Sequence, residues 1–255
     1  MFGYFDYNYL DKVANENATN YLNNPPFPHI VMNGVVRSDK LENVLKAFPT
    51  KEQLEWWKYE NVFEKKLAFD KVYELPEEVK KILCEFNSSK FIKFLEKLTG
   101  IQNLIPDPHY TGGGLHQIVN GGLLKLHADF NFNANLKLHR RINVLLYLNK
   151  QWEPFYGGFL ELWDKDVTKC VDTISPDFNK MVIFNTTDGA IHGHPTPLNV
   201  PDGVTRKSLA LYYYTAERPE EEITQPHSTL YKFKPDDNPT DELKILQERR
   251  SKGRI

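Results

Sequence analysis

Six short β-rich runs between Gly113 and Thr215 constrain this chain more than anything else in it. They read GLHQIV (114–119), LLKLHADF (123–130), INVLLYLN (142–149), GFLELW (158–163), KMVIFN (180–185) and KSLALYYYT (207–215), separated by Gly, Asn and Pro. Runs of this length bounded by turn residues are strands, and regularly spaced strands with no helical segments between them close into a sandwich or barrel, not a doubly wound sheet. A proline-punctuated stretch, PPFPHIVMNGVV (25–36), reads as an entry strand. Helical periodicity follows at Lys40–Phe48, Pro76–Phe86 and Ser89–Leu98, with Ser89 as an N-cap and Gly100 as a stop. The expected fold is therefore mainly β with N-terminal helices, an α+β arrangement.

One domain over residues 1–215 accommodates all of this, with a helical buttress at about 38–99 and a β core at about 113–215. Residues 216–255 form a charged C-terminal extension ending DELKILQERRSKGRI, either one amphipathic helix or a poorly ordered terminus. The 40% hydrophobic and 13% aromatic content suffices for a sizeable core. A net charge of -2 gives no field for nucleic acid or an anionic membrane. No apolar run is long enough to span a bilayer, and MFGYFDYNYLDK does not read as a secretory signal. Cys84 and Cys170 make no disulfide framework and are expected as small buried side chains, so a cytoplasmic location is expected.

The chemistry concentrates in LHADF. Residues i and i+2 of a strand share a face, so His127 and Asp129 converge on one point. Downstream, DGAIHGHP supplies His192 and His194, which share a face if that segment is extended. Two histidines and a carboxylate on one face of an octahedron are the usual ligand set of non-haem Fe(II), with the remaining positions open. Arg206 opens an otherwise apolar strand, where burial is costly unless an anion meets it. A dicarboxylate such as 2-oxoglutarate meets that need through the guanidinium fork, with the Ser208 hydroxyl on the same strand face. Two other readings remain open: a Zn-dependent cupin-type hydrolase or isomerase, and a non-catalytic jelly-roll binding module.

Taken in order, His127-X-Asp129, YLNKQWEPFYGG (147–158), His192 and Arg206-X-Ser208 resemble the iron- and 2-oxoglutarate-dependent dioxygenases, in their prolyl 4-hydroxylase-like branch. The resemblance implies a double-stranded β-helix, a jelly-roll or cupin-like barrel. It implies metal ligation by His127, Asp129 and His192, with no catalytic residue beyond these ligands. It also implies co-substrate contacts from Arg206, Ser208, Tyr147, Gln117 and Leu160. His194, Phe130 and Arg141 become substrate-side candidates, and the connection FNFNANLKLHR (130–140) a cover for the site. The loop PTPLNVPDG (195–203) is expected to shape the entrance. The implied cofactors are Fe(II), 2-oxoglutarate and O2, with ascorbate as a candidate reductant. The implied reaction is hydroxylation of a C–H bond, of a prolyl or other amino-acid side chain in a peptide or of a small molecule. Succinate and CO2 are its co-products. His116 and His139 read as polar surface or satisfied core residues.

Overall fold

Alternating burial along the strands explains the architecture of the computed structural model, which describes residues 2–252. The strands are β1 (His29–Asn33), β2 (Trp57–Glu60), β3 (Glu64–Phe69), β4 (Ile105–Pro106), β5 (Gly114–Ile118), β6 (Leu123–Ala128) and β7 (Phe132–Asn133). They continue as β8 (Leu138–Tyr147), β9 (Leu160–Trp163), β10 (Cys170–Ile174), β11 (Lys180–Asn185), β12 (Ile191–His194), β13 (Arg206–Thr215) and β14 (Leu230–Tyr231). Ile142, Val144 and Leu146 of β8, Met181 and Ile183 of β11, and Leu209, Leu211 and Tyr213 of β13 face one way, into the large core shared with the helices. Tyr147, Val182 and Phe184, on the opposite parity, face the barrel interior with Leu160, Leu162 and Ile174. Strands β8 and β11 thus carry apolar side chains on both faces, one toward the helices and one toward the lumen.

The strands are ordered β1-β11-β8-β13-β5-β3-β6-β12-β9-β10, and all of these pairings are antiparallel. Strand β3 carries the sheet around its corner, since Leu67–Phe69 pair with β5 while Glu64 and Lys65 pair with β6. The free edges approach each other where His29 Nε2 of β1 lies 3.5 Å from an Asp172 oxygen of β10. The result is the nearly closed jelly-roll barrel expected from the strand pattern.

Helices α1 (Tyr7–Asn23), α2 (Ser38–Ala47), α3 (Glu77–Phe86) and α4 (Ser89–Thr99) buttress the outer face. The cap of α4 is Ser88, whose hydroxyl accepts from Phe91 N, so the cap lies one residue before the expected Ser89. Gly100 ends α4 in the left-handed conformation that glycine alone adopts freely. Helix α1 has no counterpart in the sequence reading, and β2 and β3 fall in a third of the chain expected to be mostly helical. Of the two alternatives for the C-terminal extension a helix forms, α5 (Asp241–Ser251), but it buries no residue. Neither cysteine is buried as expected, Cys84 being exposed and Cys170 intermediate.

Candidate metal and co-substrate site

Strands β6 and β12 carry the His–Asp–His cluster. His127 and His192 face each other across this pair, and His194 faces Leu124, so Lys125 and Leu126 of β6 together oppose the single Gly193 of β12. That bulge resets the alternation of β6 and turns His127, and Asp129 after it, toward the lumen. One ligand atom from each of His127, Asp129 and His192 falls within 4.8 Å of the others. Each imidazole is oriented from behind. His127 Nδ1 lies 2.8 Å from Lys125 O and His192 Nδ1 lies 2.9 Å from Ala190 O. Donation at Nδ1 leaves each Nε2 lone pair for the centre, 3.6 and 3.5 Å from the Asp129 oxygens. Burial, then the nearby His127, push the His192 pKa down to about 4, so this ring is neutral at pH 7.

Asp129 is held by two side chains of β8. Asn143 Nδ2 donates to Asp129 Oδ2 at 2.6 Å and Arg140 Nη2 donates to the same oxygen at 3.1 Å. Burial would raise this carboxyl, but Arg140 and the two imidazoles hold it well below the usual carboxylate range. Arg140 also donates to Asn143 Oδ1 and lies 3.5 Å from the Tyr212 ring centroid. Two imidazoles and a fixed carboxylate are the donor set that a divalent first-row metal accepts.

Next to this cluster lies a cavity of about 70 Å³ that Arg206, Ser208, Tyr147 and Leu160 share with His194. Arg206 is 5% exposed and forms no ion pair among the described residues. Its Nε donates to Gly158 O at 2.7 Å and its Nη2 to Tyr147 Oη at 3.3 Å. Burial lowers the guanidinium's pKa, as for any cation taken out of water without a counter-ion. Gly158 is required beside it, because a Cβ there would sit 2.3 Å from Leu198 Cδ2 and 3.0 Å from Arg206 Cδ. In the loop 195–203, Leu198 and Val200 pack against Ile118 at this end of the barrel.

Several expected residues lie elsewhere. Gln117 points away from the lumen into a different cavity, beside Phe48 and Lys207, while its neighbours His116 and Ile118 line the site. Arg141 turns outward to Glu222 at 3.2 Å and Thr215, and Arg140 takes the inward place. His194 lines the Arg206 cavity, together with His127, Asp129 and His192. Phe130 lines a second cavity of about 260 Å³ that shares His127 and Asp129 with the first. The segment 130–140 forms β7 and the start of β8, with Asn133 Oδ1 accepting from Asn135 N and Leu136 N in the turn. The wall of the larger cavity includes residues that sequence reasoning missed: Lys66, Glu64, Tyr231 and Arg250. Tyr231 comes from β14, paired to β6 opposite His127, and stacks on Phe63 at 4.4 Å. Arg250 pairs with Glu64.

Residues 113–214 match the model of the 2OG-Fe(II) oxygenase superfamily. This stretch, which holds His127, Asp129, His192 and Arg206, is similar to a 2OG-Fe(II) oxygenase domain. Among solved structures, its fold is similar to a prolyl-4-hydroxylase of Pseudomonas putida (15% identity, TM-score 0.53, covering 81% of this chain and 98% of that one). It is also similar to a prolyl hydroxylase of Trichoplax adhaerens in complex with a hypoxia inducible factor peptide fragment (18%, TM-score 0.56, 81% and 91%). A prolyl 4-hydroxylase of Phytophthora capsici aligns over 98% of this chain and 77% of that one, at 18% identity and a TM-score of 0.56. No curated protein matches the chain in sequence.

Proposed function

We propose that His127, Asp129 and His192 hold the Fe(II), and that Arg206, Ser208 and Tyr147 receive the distal carboxylate of 2-oxoglutarate. The single observation that carries this is Arg206, a buried cation without a carboxylate partner in a cavity that adjoins the His–Asp–His cluster. Burying such a charge alone costs several kcal/mol in effective terms, about what a paired carboxylate offsets. Iron, 2-oxoglutarate and O2 together supply the oxidising chemistry, with succinate and CO2 as co-products. The chain's own part is positional. Lys125 O and Ala190 O fix the imidazole tautomers, and Arg140 and Asn143 keep Asp129 ionised and oriented. Tyr147 and Gly158 aim Arg206, and Leu160 closes the cavity against water.

The primary substrate enters the larger cavity, where His127 and Asp129 form one wall and Tyr231, Arg250 and Phe130 others. The reaction is hydroxylation of a C–H bond of a prolyl or other amino-acid side chain, in a peptide or a small molecule, with ascorbate as a candidate reductant. Likeness of fold to a prolyl hydroxylase bound to a peptide supports the peptide form of this reading. A cytoplasmic location belongs to the same proposal, supported by two free cysteines. Among the described residues no helix is long and apolar enough to cross a membrane. The zinc and binding-module readings both leave buried Arg206 without an anion.

The test is a screen for succinate formation across peptides, amino acids and small metabolites, with product mass confirming one added oxygen. Tight 2-oxoglutarate binding by an Arg206→Met variant would sink the carboxylate assignment.

A further inference from the structure

His194 is 4% exposed, and neither of its ring nitrogens has a hydrogen-bond partner. Buried polar atoms are almost always paired, so two orphaned nitrogens on one ring point to a group that the protein does not itself supply. The ring lines the same cavity of about 70 Å³ as Arg206, Ser208 and Tyr147. Its position is rigid. A Cβ at the neighbouring Gly193 would lie 2.8 Å from Leu124 O and 2.9 Å from Lys125 O, so β12 is pressed against β6 with no room to slide.

His192 and His194 are two residues apart on one face of β12, a separation of roughly 6.6 Å along a strand. This is close to the length of a five-carbon dicarboxylate. A molecule with its 2-oxo acid end at His192 therefore brings its far carboxylate alongside His194, while Arg206 reaches the same cavity from β13, which β5, β3 and β6 separate from β12.

We propose that His194 is a second co-substrate-binding residue, donating a hydrogen bond to the distal carboxylate of 2-oxoglutarate from a different strand than Arg206. This rests on the proposed function above. It makes the site a two-sided clamp that reads both the charge and the length of the co-substrate. 2-Oxoadipate, one methylene longer, carries its carboxylate past the pair and binds more weakly than 2-oxoglutarate.

Calorimetric titration of the Mn(II)-loaded protein tests this without catalysis. The ligands are 2-oxoglutarate and 2-oxopentanoate, which has the same carbon chain but no distal carboxylate. A hydrogen bond to a charged group predicts that His194→Leu binds 2-oxoglutarate about tenfold or more weakly. Binding of 2-oxopentanoate should be unchanged, and His194→Gln, which keeps a donor, should recover much of the loss. Unaltered 2-oxoglutarate binding by His194→Leu would overturn the proposal, as would an equal loss for both ligands, which marks a packing role. Arg206→Met in the same series separates the two readings. If it weakens 2-oxoglutarate binding and His194→Leu does not, only the role of His194 fails. If Arg206→Met has no effect, the co-substrate site itself is misassigned.

Discussion

Replacing Arg206 by Met should change stability little without 2-oxoglutarate but leave the variant clearly less stable than the parent once 2-oxoglutarate is present. The guanidinium is 5% exposed, has no ion pair among the described residues and makes two hydrogen bonds, to Gly158 O and Tyr147 Oη. Exchanging buried charged groups for apolar side chains of similar volume stabilises by up to about 1–4 kcal/mol. Forfeiting two hydrogen bonds costs about 1 kcal/mol each. Without co-substrate, the variant should thus fall between a loss of about 1 and a gain of about 2 kcal/mol. With 2-oxoglutarate at about a hundred times its Kd, the parent gains about 2.7 kcal/mol and the variant almost nothing. In a chain of this length each kcal/mol moves Tm by about 2–4 °C. Thermal unfolding of the Mn(II)-loaded proteins, with and without 2-oxoglutarate, reads both shifts. If the variant is several kcal/mol less stable in the absence of co-substrate, or if 2-oxoglutarate raises the Tm of both equally, Arg206 is a structural residue and the argument fails.

Gly158→Ala should cost about 2–4 kcal/mol, because its Cβ meets Leu198 and Arg206 and its φ is +67°, and chemical denaturation measures the loss. Arg140→Met should weaken metal binding about 10- to 100-fold by leaving Asp129 to Asn143 alone, as a competitive chelator titration would show; undiminished affinity would mean that Arg140 only fills space. Burial pushes the His227 pKa down, but the hydrogen bond to Asp188 at 2.9 Å, the bond to Ser228 O and the Asp188 charge together raise it in the fold. Its stabilisation is therefore fully present below the ordinary histidine value of 6.5 and is lost as pH rises through the raised one. The stability gap between parent and His227→Gln, about 0.5–1 kcal/mol, should shrink from pH 6 toward alkaline pH, and a gap that widened would contradict the pairing.

The β core was legible because period-2 alternation and turn residues mark each strand, and Arg206, Ser208, Tyr147 and Leu160 fall in one cavity because they share the inward parity. Errors arose where β-bulges break that parity. Counting back from Tyr147 along β8 makes Arg141 inward, but Arg140 pairs with Tyr214 and Ile142 with Tyr213, so Arg141 is an extra residue and Arg140 turns in. The family resemblance, not parity, sets Gln117 beside the co-substrate, and in the fold its neighbours His116 and Ile118 line that cavity. Consecutive basic residues in RRIN were a usable signal for a bulge or a buried ion pair. Helix α1 was illegible because its asparagine-rich sequence has weak helix propensity, and it buries only Leu10, Ala14 and Tyr21. Lys66, Glu64, Tyr231 and Arg250 meet only through contacts distant in sequence, so no local pattern announces the larger cavity.

Anaerobic titration with Fe(II), followed by 2-oxoglutarate, addresses the His–Asp–His assignment most directly. The parent should bind one Fe(II) per chain and then develop the visible charge-transfer absorbance of an iron-bound 2-oxo acid, whereas His127→Ala should bind no iron and remain colourless. Equal iron binding and absorbance in His127→Ala, or a parent that takes up zinc and never responds to 2-oxoglutarate, would contradict it.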